Sequence, residues 1–308
     1  MKRLAALAAL VGALICVEGA AAQPEPVLAG DAYEVEPSPS DAYFAWAQAS
    51  PSRPNQYNVW FAPVVGGAPD VSARIRVNPA GAVAFAGDVD GTTLVYAQRP
   101  RQAAPGSVRF YDVATQAPLD TPPGINTRRG REAGPKLSGN WLLFARYGRS
   151  GQTIFLYDLT RERKTLVDRL PYPGHLQTGA VAGNWAAWTR CRRWAHCHTF
   201  RYDIAADRTL RVPNPRDRSQ YAASVTEDGA VYYAESRSIL CGDDLAIWRD
   251  ANPRAAGRAR LLDFRSGRDV AVTSPVVNGD GSVTVYYDRY VCRTGAADIY
   301  RYIFAPGP

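Results

Sequence analysis

Cysteine, histidine, acid pairs and arginine are the residues here whose types could do chemistry, and most of them lack the spacing that chemistry needs. Cys191, Cys197, Cys241 and Cys292 lie beyond the leader, and His175, His196 and His198 are the three histidines. A zinc site from Cys191, His196, Cys197 and His198 would need a spacing that matches no standard zinc pattern, so no metal is expected. No Gly-x-Ser-x-Gly elbow presents a serine nucleophile. No phosphate-cradling glycine loop occurs either. Glu235 with Asp243 and Asp244 is a candidate carboxylate pair for glycan cleavage, which needs one acid and one base or nucleophile. Adjacent loop acids are more often simply solvated. Asp88 and Asp90 sit without the full spacing of a calcium loop and read as turn formers. No catalytic residue and no cofactor is therefore assigned.

Arginine is the abundant functional group. The chain carries 36 Lys and Arg against 29 Asp and Glu, for a formal net charge of +7, and only Lys2, Lys136 and Lys164 are lysine. A planar guanidinium fork suits carboxylate, sulfate and phosphate. Where these arginines fall depends on the elements that carry them.

Those elements repeat. Leu137-Ser138-Gly139-Asn140-Trp141 opens a unit that Val181-Ala182-Gly183-Asn184-Trp185 copies, and Phe155-Leu156-Tyr157-Asp158 is matched by Phe200-Arg201-Tyr202-Asp203. One aromatic series runs Trp46, Tyr96, Phe144, Trp188, Tyr233, Tyr286, and a second, in phase, runs Phe61, Tyr111, Tyr157, Tyr202, Trp248, Tyr302. Both recur at roughly 44 to 54 residues, the period of a propeller blade. Aromatic and β-branched residues suit a pleated, half-buried surface, and no helical stripe competes with them. The spacing predicts an all-β fold, a single six-bladed β-propeller of four-stranded blades. Its last blade lacks a fourth strand near Ile303-Phe304, so a strand within Pro26 to Asp31 is expected to complete it and remove two open edges.

Ser274-Pro275-Val276-Val277-Asn278-Gly279-Asp280-Gly281, followed by Val285-Tyr286-Tyr287 and Asp298-Ile299-Tyr300, resembles the repeat of the six-bladed TolB-like propellers. That repeat is Ser-Pro-Asp-Gly, an apolar strand, a loop and Asp-Ile-Tyr. The likeness implies the propeller fold alone, without the N-terminal domain of TolB itself. It does not transfer a role in an envelope complex.

Lys2-Arg3, the apolar run Leu4 to Val17 and the small residues Gly19 to Ala22 read as a signal peptide over residues 1–22, leaving 23–308 as the propeller. No stretch approaches the ~18 apolar residues of a spanning helix. The chain is expected to be a secreted or periplasmic monomer, not membrane-spanning. In that setting an even number of cysteines predicts two disulfides. Cys191 and Cys197 bracket one loop, while Cys241 and Cys292 occupy matching loops of neighbouring blades. The expected pairs are therefore 191–197 and 241–292.

In a four-stranded blade, the loop between strands two and three shares a face with the linker to the next blade. This face gathers Arg53, Arg99, Arg101, Arg128, Arg129, Arg131, Arg146, Arg149, Arg190, Arg192, Arg193, Arg216 and Arg218 with Trp194, and Tyr147, Tyr172 and Tyr221 lie among them. The opposite face gathers acids such as Asp88, Asp90, Asp158 and Asp203. Arginine with aromatics is the composition of binding hot spots. The expected function is a non-catalytic binding or scaffold propeller whose arginine face holds an acidic protein segment, an anionic glycan or a lipid headgroup, with nucleic acid excluded by export. The other reading is an extracytoplasmic polysaccharide hydrolase or lyase with carboxylates near the central channel. Buried, perturbed carboxylates converging in a deep channel pocket would favour that second reading.

Overall fold

The computed structural model describes residues 23–100, 106–128, 131–192, 196–214, 218–237, 239, 241, 244–251 and 257–305. Residues 1–22 and Arg101, Arg129, Arg193, Trp194, Arg216 and Asp243 lie outside the described residues. The chain forms six antiparallel sheets arranged as the blades of a propeller. The innermost strands are Tyr33–Pro39, Val83–Asp90, Arg131–Ser138, His175–Ala182, Ser219–Val225 and Thr273–Val277. Both aromatic series fall in the second and third strands of their blades, as their phase predicts.

The ring closes through its ends. Glu25–Leu28 is the outermost strand of blade 6, paired antiparallel with Ala297–Phe304 through Glu25↔Arg301, Pro26↔Tyr300 and Leu28↔Ile299. Arg301 reinforces this clasp with an ion pair to Glu25 at 2.9 Å. The strand is shorter and earlier than the Pro26–Asp31 expectation, because Gly30 and Asp31 already belong to the bend that leads into blade 1.

The core lies between blades, as apolar wedges that join each neighbouring pair. Val35, Phe61, Leu94 and Tyr96 fill the wedge between blades 1 and 2. Leu156, Leu176 and Trp188 fill the one between blades 3 and 4. Phe44, Trp46, Leu28 and Ile299 join blade 6 to blade 1. Trp46 and Trp188 are each only 1% exposed. Burial of such a side chain stabilises by about 2–3 kcal/mol, so the aromatic repeat is the principal source of cohesion. Arg201, invisible as a core residue from sequence, is also buried. It donates to the Gly229 and Ala251 carbonyls at 3.0 and 2.8 Å and pairs with Asp250 at 3.1 Å.

The innermost strands of blades 1 to 5 are each broken by a β-bulge opposite the aromatic of the second strand, between Val35 and Ser38, Ala86 and Asp88, Ala133 and Lys136, Thr178 and Ala180, and Tyr221 and Ser224. The bulges bring adjacent blades into near contact around the axis. A Cβ on Gly179 would stand 2.2 Å from the Ala223 carbonyl oxygen of the next blade, and one on Gly87 would stand 2.5 Å from that of Pro135. Only glycine permits that approach. The bulges therefore shape the channel wall.

Candidate functional site

Two cavities occupy the axis and meet at Lys136, which lines both. The one opening on the turn-bearing face is about 560 Å³ and is bordered by Asp41, Asp88, Asp90, Ser138 and Ser274. The one opening on the arginine face is about 390 Å³. Its mouth carries Arg99, Tyr147, His175 and Tyr221, and its floor carries Glu36, Asp269 and Lys136.

The mouth is cationic and aromatic. Arg131 lies with its guanidinium carbon 5.9 Å from the Tyr147 ring centre, and Arg99 lies 5.5 Å from that of Phe85. Burial and the nearby Arg131 charge press Arg99 below its ordinary value. The ion pairs among the described residues include neither of these two arginines. Burial also lowers His175, which favours the neutral ring, and its Nδ1 lies 3.1 Å from Nε2 of Gln152.

The floor is acidic. Asp288 accepts backbone N–H bonds from Ala271 and Val272, both at 2.8 Å, and from Glu36 at 3.2 Å. Asp269 accepts from the Tyr221 hydroxyl at 2.8 Å and from the Cys241 N–H at 3.1 Å. Asp88 accepts from the Ser38 hydroxyl and the Leu137 N–H. Lys136 donates to the Gly87 carbonyl at 2.7 Å. Glu36 differs from its neighbours, since its buried Oε2 has no hydrogen-bond partner. Burial raises Glu36 to about 8 and Asp288 to about 6, and raises Asp88 as well.

These raised acids give the fold a pH dependence of definite sign. The reference values are 4.5 for Glu36 and 3.8 for Asp288, so the folded chain holds protons that the unfolded chain has released. Stability is then fully present at acid pH and falls as pH rises through about 6 and about 8. Melting curves should show the fall, and Glu36→Gln should flatten its upper part. The melting temperature of that variant should exceed wild type at alkaline pH by roughly 2–4 °C for each kcal/mol recovered. A wild-type melting temperature that climbed over this range would contradict the assignment.

The arginines of the expected face differ in what they touch. Arg128, Arg131, Arg149 and Arg192 are exposed. Tyr172 is 82% exposed beside them, and its N–H donates to the Ser150 carbonyl. Three other arginines are committed to acids and do not form an open patch. Arg146 pairs with buried Glu132 at 2.8 Å and lies 4.8 Å from the Phe155 ring centre. Arg190 pairs with Asp168 at 3.0 Å, and Arg218 with Asp244 at 3.3 Å. Each sits beside or within strands whose acids need compensation, which loop counting could not reveal. Arg99 falls on this face by its loop position, as expected, and the structure adds that it lines the cavity.

The other candidates resolve plainly. Disulfides join Cys191 to Cys197 and Cys241 to Cys292, so these thiols are not metal ligands. Glu235 is fully buried and held by Arg258 and is no member of an open carboxylate pair, while Asp244 is bound to Arg218 and Arg237. Among the described residues no group of three or more His, Cys, Asp or Glu is placed to hold a metal ion. Among those residues no helix is long and apolar enough to cross a membrane.

Comparison with protein-family models and with curated proteins finds no match. Solved structures do share the fold. The chain is 12% identical to a putative TolB from Agrobacterium tumefaciens, with TM-score 0.56, over 89% of this chain and 90% of that one. It is 10% identical to the β-propeller domain of the Trilobed protease from Pyrococcus furiosus, with TM-score 0.54, over 91% and 97%. A prolyl endopeptidase matches at 15% identity and TM-score 0.54 over 89% of this chain, which spans only 42% of the enzyme. At these identities the likeness defines the class as a six-bladed propeller and carries no activity with it.

Proposed function

We propose that this is an exported, non-catalytic binding propeller that engages an anionic partner at the mouth of its channel on the arginine face. The observation carrying this reading is Arg99, which lines the open cavity, with exposed Arg131 near it and against the Tyr147 ring that lines the same cavity, both arginines outside the ion pairs of the described residues. Exposed Arg128, Arg149 and Arg192 extend the surface, and Arg129, Arg193, Trp194 and Arg216 belong to the same loops and linkers. An acidic protein segment, anionic glycan or lipid headgroup supplies the matching charge. Two disulfides fit an oxidising compartment, and the leader-like residues 1–22 fit export to the periplasm or beyond.

The test is retention on immobilised dextran sulfate with unsulfated dextran as control, as a function of salt. Retention of wild type should weaken steeply with ionic strength, since exposed charges are screened over about 8 Å. Arg99→Glu with Arg131→Glu should lower affinity by about 30-fold or more, as loss of charge-assisted contacts predicts. Equal retention of wild type and the double variant would remove the site.

A polysaccharide hydrolase or lyase is the second reading, and the raised, cavity-facing Glu36 favours it. Against it, Asp88, Asp269 and Asp288 spend their oxygens on protein donors, which leaves one open carboxyl where hydrolysis uses two. Turnover of an anionic polysaccharide that Glu36→Gln abolished would establish it instead.

A further inference from the structure

We propose that the mouth of the channel on the arginine face is a two-point receptor for a compact zwitterion of dipeptide size, with Arg99 and Arg131 taking its anionic group and Glu36 its ammonium. The inference rests on the binding reading above and adds the chemistry of the ligand's other end.

Glu36 is built into the floor at a cost. Its φ is 57°, the left-handed region that L-residues with long side chains avoid. The residues in the same place opposite the second-strand aromatic in blades 2 to 5 are Ala86, Gly134, Thr178 and Ala222, all small. Blade 1 alone among these sends a carboxyl into the cavity from this position. One side of that carboxyl is supported by the Ala86 amide, while Oε2 is shielded and unpartnered. A buried acceptor left open in this way is complementary to a donor brought by a ligand.

The charges around it point to a cationic donor. Glu36 and Asp88 share one ammonium, that of Lys136, which is already bonded to the Gly87 carbonyl, while Asp288 stands near Glu36 and Asp269 near Asp288. Tyr57 and Tyr290 complete the titratable surroundings of Glu36, and neither supplies positive charge. Without a set of side chains suited to a metal among the described residues, an organic ammonium fits better than a metal ion. Tyr147, Tyr221, His175 and Phe85 wall the space between floor and mouth, which suits a small organic body. The volume, about 390 Å³, falls in the lower part of the range for small-molecule sites.

A proton accompanies such binding. Empty, the carboxyl is held protonated to about 8 by burial. An entering ammonium favours the carboxylate, so near neutral pH the O–H bond of Glu36 breaks and its proton passes to buffer while the N–H donors of the ligand bond to the oxygen.

The experiment is titration calorimetry of wild type with Ala-Phe, N-acetyl-Ala-Phe and Ala-Phe amide, in buffers of different ionisation enthalpy at about pH 7. The free dipeptide should bind about tenfold or more tightly than either blocked form, as loss of one charged hydrogen bond predicts, and should release close to one proton. Glu36→Gln, checked for an intact melting transition, should abolish proton release and bind the free and acetylated forms alike. Equal wild-type affinity for the free and acetylated peptides overturns the zwitterion, as does proton release that survives Glu36→Gln or no binding of any dipeptide. Retention on dextran sulfate then decides separately whether the anionic reading stands.

Discussion

The double variant Cys241→Ser, Cys292→Ser is expected to lose about 4 kcal/mol of stability, whereas Cys191→Ser, Cys197→Ser should lose about 2 kcal/mol. The two disulfides differ in what they cross-link. Cys241 and Cys292 are separated by 51 residues and tie a loop of blade 5 to the loop between the second and third strands of blade 6. Closing a loop of that length removes far more freedom from the unfolded chain than the six-residue separation of Cys191 and Cys197. The shorter bridge also joins residues that are already register partners within one blade, so it constrains little that the sheet does not. Denaturant unfolding of both variants against wild type measures the contrast. A larger loss from the short bridge would refute the chain-entropy account.

Arg146→Ala is expected to cost about 3 kcal/mol of stability while leaving dextran sulfate retention nearly unchanged. The guanidinium bonds Glu132, which is 1% exposed, and also the Ile125 carbonyl at 2.9 Å. It stacks against Phe155 as well. Removing it leaves a buried carboxyl without its bonded counter-charge and only Lys164 nearby, with a second oxygen of Glu132 already unpartnered. Arg131→Ala should do the reverse, weakening retention with little change in melting. If Arg146→Ala lost binding and kept its stability, the division between bracing and contacting arginines would be wrong.

That division marks where the sequence was readable. The blade count, the strand positions of Trp46 to Tyr302 and the pairing of the cysteines all follow from a period, and a period is a property of order along the chain. Even the clasp by residues near Pro26 could be anticipated, because an incomplete last blade leaves an edge that something must cover. Glu36 could not be found in this way. Its importance lies in a bulge that turns one side chain of an alternating strand toward the axis, and bulges shift register without a composition signal. Lys136 was likewise an ordinary strand residue until Glu36 of blade 1 and Asp88 of blade 2 were brought beside it. Arg146, Arg190 and Arg218 were read as one class because loop position says which face a residue occupies. It does not say which acid stands beside it.

The clasp at Glu25–Leu28 also sets how the ring responds to load. The strand runs antiparallel to Ala297–Phe304, so its free end and the free end of its partner emerge at the same edge of blade 6. Tension drawn apart between them opens the register pairs in succession, Glu25↔Arg301 first, and never loads all the hydrogen bonds together. With so few pairs, the seam yields to far less force than any blade made from one continuous segment. A pull across the ends would peel this strand from blade 6 while the apolar wedges of blades 1 to 5 stayed packed. Joining the two ends by a short linker and cutting the chain at an exposed turn elsewhere would move that weak seam to a place of choice.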